Sequence, residues 1–320
     1  MWRLALRRVA LAVPVLFLVS VLSFLLLRAA PGNPAQLQAG LDATPKVVAA
    51  ISRQLGLDRP LATQYWLWLD GVLHGNLGVS YSTGEPVTSV LAPRVPVTAE
   101  LGVLSLVLTV LVGIPLGIWS ALGKDGPLDH STRVGALVFV AVPNFVLALF
   151  FVLVFGWWFR NILPYQGFVP LGQSIASNLS HAILPSVCLA LGPIGIVVRV
   201  TRASMLEQLG SDYVLAARAL GVPWRRVVWN DALRNAVAPV LTVLGLVTGY
   251  LISGAVVVET IFNLPGLGAL LVESFDNRDY TVTISVMMLG AVVFVVVNLL
   301  VDLLHAFVNP RVRARWARTS

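Results

Sequence analysis

Six stretches of the chain contain no Asp, Glu, Lys or Arg: Val9 to Leu27, Leu101 to Gly123, Val134 to Phe159, Ala182 to Val198, Asn235 to Val258 and Tyr280 to Val301. They are 19, 23, 26, 17, 24 and 22 residues long, and a helix that crosses a hydrocarbon core of roughly 30 Å needs roughly 20. The pattern predicts an all-α integral membrane protein with six transmembrane helices. Pro14, Pro115, Pro143, Pro185, Pro193 and Pro239 lie inside these runs. Neighbouring helices can satisfy the backbone groups that a proline frees, so each run is expected to remain one helix. The first run is longer than the roughly 7–15 apolar residues of a secretory signal. It is therefore expected to be retained, although Arg3, Arg7 and Arg8 precede it and Arg28-Ala29-Ala30 resembles a cleavage site.

Composition agrees with this pattern: 57% of the 320 residues are hydrophobic and 12% charged, with a mean hydropathy of +0.85. Soluble domains average about 45–50% and about 25%, and here the charges are confined to the connections. That excludes a water-soluble globule. The formal net charge of +7 forms no basic stripe interleaved with aromatics, so it does not mark a nucleic-acid surface. It reads as topology instead: with the N-terminus inside, inner segments hold 15 Lys and Arg and outer segments 7, and the excess belongs to the cytoplasm. Both termini are expected there. The expected organisation is a cytoplasmic N-terminus and first helix (1–28), an outer loop region (29–100), a membrane core (101–309) with an inner loop at 199–234, and a basic cytoplasmic tail (310–320).

The loops carry local signals. Thr44-Pro45 reads as an N-cap and first helical position, with Gly56 as the stop of a short helix. Leu61 to Leu73 reads as a second helix whose Tyr65, Trp66 and Trp68 suit either a bilayer interface or packing on the protein itself. Thr260 to Val272 is charge-free over 13 residues and broken by Pro265-Gly266-Leu267-Gly268, so it reads as a re-entrant or interfacial segment. In the inner loop, Ser211 is placed to cap a helix from Asp212 to Leu220, Gly221 to close it in the left-handed region, and Pro223 to prevent continuation. Ala216, Ala217 and Ala219 make that helix narrow enough to enter a groove on another protein; a solvated positive-inside loop is the alternative.

Several kinds of chemistry have no residues to carry them. No GxxxxGK[ST] phosphate loop occurs, so the chain is not expected to bind or hydrolyse ATP. The single cysteine, Cys188, permits no disulfide, and His74, His130, His181 and His305 have no metal-ligand spacing. The six runs hold no ionisable side chain, unlike most ion-coupled carriers. Gly113-x-x-x-Gly117 and Gly245-x-x-x-Gly249 permit close helix approach, though such spacing is common by chance. An integral membrane enzyme would need a buried Ser/His or carboxylate/His pair that the sequence does not display, and a passive channel would conduct without nucleotide.

Asp212-Tyr213-Val214-Leu215-Ala216-Ala217-Arg218-Ala219-Leu220-Gly221, followed by Ala232 to Ala236 and Pro239, is similar to the EAA motif of bacterial ABC importer permeases. Arg199-Val200-Thr201-Arg202 through Met205-Leu206-Glu207 is similar to its lead-in. The same resemblance runs through Pro31-Gly32-Asn33-Pro34, Leu55 to Pro60, Gly75-Asn76-Leu77-Gly78, His181 to Pro185, Pro265 to Gly268 and Arg278-Asp279-Tyr280. Nearly the whole chain thus resembles the membrane permease subunit of the dipeptide/oligopeptide/nickel class of type I importers, with departures at Asn33, Asn76, Leu220 and Arg234. The resemblance implies a peripheral first helix beside a five-helix core. It implies a homologous second permease, two cytoplasmic ATPase subunits that hold ATP and Mg, and an extracytoplasmic solute-binding protein. It places coupling to the ATPases on Asp212, Tyr213, Ala216, Ala217, Arg218, Leu220, Gly221 and Val222, and an outer-loop motif on Pro265, Gly266 and Gly268. Uncharged Asn144, Tyr250, Ser253 and Asn298 are candidates to line a pathway for peptides.

Overall fold

The computed structural model describes residues 2–29, 34–40, 43–159 and 162–308. The expected basic tail at 310–320 and most of the Pro31 to Pro34 motif lie outside the described residues. In chain order the helices are α1 (Trp2–Ala29), α2 (Pro34–Ala39), α3 (Pro45–Gln54), α4 (Leu61–Leu73), α5 (Val87–Leu91), α6 (Val95–Leu122), α7 (Pro127–Ala141), α8 (Asn144–Trp157), α9 (Ile175–Leu209), α10 (Asp212–Ala219), α11 (Trp224–Arg226), α12 (Leu233–Ile261), α13 (Leu267–Asp276) and α14 (Tyr280–Val308). A π-helical stretch, Val227–Ala232, joins α11 to α12. Among the described residues the only β pairing is a single antiparallel bridge, Val79 with Pro86.

Four helical segments are long and apolar enough to cross a membrane: Val87–Leu122, Ile175–Leu209, Trp224–Ile261 and Tyr280–Val301. The pair α7 and α8 makes a fifth if it is one span, and Ala10–Leu26 is a shorter apolar stretch within α1. The expectation of one continuous third helix over Val134 to Phe159 is corrected: α7 and α8 meet at 101°. Val142 is extended (φ −82°, ψ 122°) and Pro143 begins the next helix as its N-cap. A proline ring crowds an α-helical predecessor and supplies no N–H, and here that local cost breaks the helix. The other five prolines do lie inside helices.

The chain divides into two compact units, one built chiefly of Ala99–Leu264 with the end of α14 from Phe294, the other of Arg7–Thr98 and Pro265–Val293. In the first, α9 is central: of its most apolar 18 residues 67% are buried, against 17% for α14. Small residues let its neighbours close on it. A Cβ at Gly113 of α6 would sit 2.9 Å from a Val197 methyl, and one at Gly117 would sit 2.6 Å from Thr201 Cβ and 2.8 Å from the Val198 carbonyl oxygen. The first of the two Gly-x-x-x-Gly pairs is thus a helix contact. The second is another, with Gly245 against Asn298 and Val301 and Gly249 against Phe294.

In the second unit, Tyr65 of α4 is buried against α1. Its hydroxyl lies 2.8 Å from Ser20 Oγ, and Phe17 and Phe24 meet its ring edge-on. Trp68 packs with the same cluster while Trp66 is exposed, so α4 turns one aromatic face to its own protein and leaves one ring outside. The expected cap and stop of α3 are in place as positions: Thr44 precedes Pro45 in extended conformation without a side-chain cap bond, and Gly56 has φ +66°. Within and beyond the segment expected to be re-entrant or interfacial, the residues from Leu267 to Asp276 form α13, with Gly266 at its N-cap.

Candidate functional site

The connection from α9 to α12 gathers the residues that the sequence singled out in its inner loop. α10 begins after Ser211, whose backbone is extended but whose hydroxyl donates to the Gln208 carbonyl at 2.5 Å. The serine therefore occupies the N-cap position without capping, a correction to the sequence reading. Asp212 in the first turn favours the positive end of the helix. At the other end Gly221 has φ +75°, its N–H donates to Arg218 O at 3.0 Å and the Val222 N–H to Ala217 O at 3.0 Å. These are the two hydrogen bonds of a Schellman closure, which needs a left-handed residue at that place. α10 ends at Ala219 with Leu220 as C-cap, one residue earlier than the sequence suggested.

The short helix stands on a firm base. Val214 is buried, and beyond the turn Val228, Ala232 and Ala236 recur every four residues to pack on Ile118, Ala121 and Met205. The π stretch lies within this seam, with Val227, Val228 and Ala232 buried. Such stretches are rare and concentrate at functional places. Arg218 lies over the Trp224 ring at 5.0 Å, and Tyr213 donates to Gln208 Oε1 at 3.0 Å. Outward, Tyr213, Leu215, Ala216, Arg218 and Leu220 are exposed, Leu220 at 84%, with Ala217 and Val222 half-buried. The result is a shelf of mainly small and apolar groups with Asp212 at its start and Arg218 near its end, held in place from beneath.

A network missed by the sequence reading involves Arg202, near the end of α9 that leads into this connection. Asp129 of α7 is fully buried and takes a forked ion pair from Arg202 of α9, Nε to Oδ1 at 2.6 Å and Nη2 to Oδ2 at 2.7 Å. Ser120 Oγ donates to Oδ1 at 2.5 Å and the Asp125 N–H to Oδ2 at 3.0 Å. The carboxylate is therefore saturated, which a buried charge requires. Sequence gave no signal for this pairing across 73 positions. Glu259 near the C-terminal end of α12 is also fully buried.

The four pathway candidates divide. Tyr250 Oη donates to Asn144 Oδ1 at 2.9 Å, joining α12 to the start of α8 at the Pro143 break. Ser253 is exposed on α12. Asn298 is on α14, where Nδ2 donates to Phe294 O at 2.9 Å beside Gly245. The outer-loop trio starts α13: Pro265 precedes Gly266 at the N-cap, Gly268 is buried, and the Leu267 N–H donates to Thr98 Oγ1 at 2.8 Å. Nearby in the same unit, Asp279 caps α14 and accepts from Ser80 Oγ at 2.5 Å and Ser82 Oγ at 2.9 Å.

Two family models together match almost the entire chain: the binding-protein-dependent transport system inner membrane component over residues 113–314, and the N-terminal membrane component of the same systems over residues 1–102. The chain belongs to this family. A probable peptide ABC transporter permease of Sinorhizobium fredii is 40% identical over 96% of this chain and 98% of its own length. A putative peptide transport system permease of Brucella abortus is 42% identical over 98% and 99%. The dipeptide transport system permease DppB of Escherichia coli is 36% identical, again over 98% and 99%. The protein is a multi-pass inner-membrane permease subunit of an importer, and it works within an ABC transporter complex.

Proposed function

We propose that this permease carries peptides, supplies half of a translocation pathway, and receives the ATP-driven stroke through α10. The observation that supports coupling is the form of α10 itself, a short helix closed by a Schellman turn, anchored by Val214 and presenting small, apolar groups outward. An exposed shelf on a rigid base can transmit a push, whereas a solvated loop would absorb it. The peptide cargo is carried over from the three relatives named above.

In this reading the shelf docks into a cytoplasmic ATPase subunit, two of which hold ATP and Mg. A homologous permease completes the pathway and an extracytoplasmic binding protein delivers the solute. The chain itself has no phosphate loop and performs no hydrolysis. Both termini are cytoplasmic, with six spans counting α1 and the bent α7–α8 pair. The decisive experiment is purification of the tagged chain from its native membrane, identification of co-purifying subunits, and reconstitution in vesicles. ATP-dependent uptake of a labelled dipeptide supports the reading. Conduction without nucleotide overturns it in favour of a channel, and peptide hydrolysis without uptake in favour of an enzyme.

A further inference from the structure

Arg28, Arg53 and Arg59 line one cavity of about 340 Å³, together with Phe24, Trp68 and Tyr280. No Asp or Glu lines it, and among the described residues none of the three guanidinium groups is in an ion pair. The arrangement is built rather than incidental. A Schellman closure at Gly56, in which its N–H donates to Arg53 O at 3.0 Å and the Leu57 N–H to Ser52 O at 2.9 Å, turns the chain so that Arg53 and Arg59 reach the same wall. Gln64 Nε2 pins that turn by donating to Leu57 O at 3.2 Å and Arg59 O at 2.7 Å. Three like charges around one opening raise the local concentration of anions.

The cavity also has a defined depth. Arg28 is the first charge after the apolar run Val9 to Leu27, and Tyr280 opens the apolar run that ends at Val301. Two apolar stretches thus end at its wall, which, resting on the six-span reading proposed above, sets the cavity at the level of the phospholipid phosphates. Trp68 in the wall and exposed Trp66 beside it are of the aromatic type that settles at that level. Trp68 Nε1 and Tyr280 Oη are closed off from solvent without a hydrogen-bond partner. A small shift of either ring toward an anion would pair a donor that is otherwise costly to leave unmade. We propose that this cavity binds the phosphate of an anionic phospholipid headgroup, with Arg28, Arg53 and Arg59 as its charge partners. Arginine forks are suited to phosphate oxygens, and the bound lipid would tie α3 and α4 to the ends of α1 and α14.

The test uses the full chain, purified with whatever subunits accompany it and stripped of lipid in mild detergent. The probes are dihexanoyl phosphatidylglycerol, dihexanoyl phosphatidylcholine, inorganic phosphate and dialanine. Saturable binding of the phosphatidylglycerol at least tenfold tighter than of the other probes is the expected result. Arg53→Gln with Arg59→Gln should weaken it at least tenfold, the Lys pair at the same positions, which keeps the charge and loses the fork, should fall between wild type and the Gln pair, and Lys46→Gln, an exposed cation outside the cavity, should stay within a fewfold of wild type. The single change Arg59→Gln, at an exposed position, gives the same reading if the double variant misfolds. Inorganic phosphate binding as tightly as the lipid would make this a free-phosphate site, displacement by dialanine would make it a peptide-carboxylate site, and unchanged lipid binding in the Gln variants would remove it altogether. Each of these outcomes overturns the proposal.

Discussion

Asp129 and Arg202 form a forked ion pair whose two N···O distances are 2.6 and 2.7 Å, with the carboxylate at 0% exposure. Breaking a buried pair by removing one partner strands the other charge and costs about 3–5 kcal/mol, whereas replacing both by apolar groups is often neutral. Arg202 keeps some solvent contact, so the lower end of that range is expected for Asp129→Asn. The double variant Asp129→Leu with Arg202→Met should recover most of the loss. Thermal unfolding in detergent, followed by near-UV circular dichroism, checks both; a single variant as stable as wild type would show that the pair holds nothing.

Helix contact through Gly117 gives a sharper contrast. A side chain there meets Thr201 Cβ at 2.6 Å and the Val198 carbonyl at 2.8 Å, so α9's own backbone blocks it. Gly117→Val should destabilise the fold by roughly 1–3 kcal/mol or more through overpacking. Gly135 of α7 has nothing within 4 Å of its would-be Cβ, and Gly135→Ala should be neutral or slightly stabilising. Membrane abundance and resistance to added protease, compared between the two variants, decide the matter.

Topology can be read by labelling. In a Cys188→Ser background, which removes a thiol already buried, Thr63→Cys on α4 and Ser131→Cys on α7 place single thiols at exposed positions of opposite expected sides. An impermeant maleimide applied to intact cells should modify position 63 and spare 131 until the membrane is opened. The reverse pattern would invert the orientation drawn from 15 inner against 7 outer basic residues.

What the sequence disclosed and what it hid follow from the range of each interaction. Gly221 and Gly56 are set by torsional preferences within a few residues, and both close helices where the pattern put them, whereas the start of α13 at Leu267 was not among the expected elements. The break at Pro143 was equally local, yet the length of the charge-free run outweighed it in the reading; the extended conformation of Val142 shows that the proline signal was the stronger. The Gly-x-x-x-Gly pairs marked possible contacts without naming partners, since a glycine advertises only the missing Cβ. Asp129 with Arg202 and Asp279 with Ser80 join residues 73 and 199 positions apart. No period or spacing encodes such a meeting, because each residue's own neighbours in the chain say nothing of a partner so far away.

The closure of α10 carries the last prediction. Gly221 has φ +75° and nothing within 4 Å of a would-be Cβ, so a side chain there meets no neighbour and the whole penalty is conformational. A left-handed residue with a Cβ costs about 1–2 kcal/mol, more when β-branched. Gly221→Val should therefore re-aim the end of α10 and the Gly221–Pro223 turn while leaving the apolar helices, whose seam of Val228, Ala232 and Ala236 lies beyond that turn, intact. Ala217→Trp acts by another route: an indole in place of a half-buried methyl on the narrow helix enlarges the face of α10, so the shelf itself changes shape. If α10 is the mechanical link to the ATPases, the first variant should bind them and fail to transport, and the second should fail to bind them. Asn at position 221 tolerates the left-handed region better than Val, so Gly221→Asn should keep most of the transport that Gly221→Val loses. Membrane abundance, ATPase co-purification and ATP-driven dipeptide uptake are measured for all three. Normal insertion with wild-type uptake in both Gly221→Val and Ala217→Trp would show that α10 is an ordinary connection.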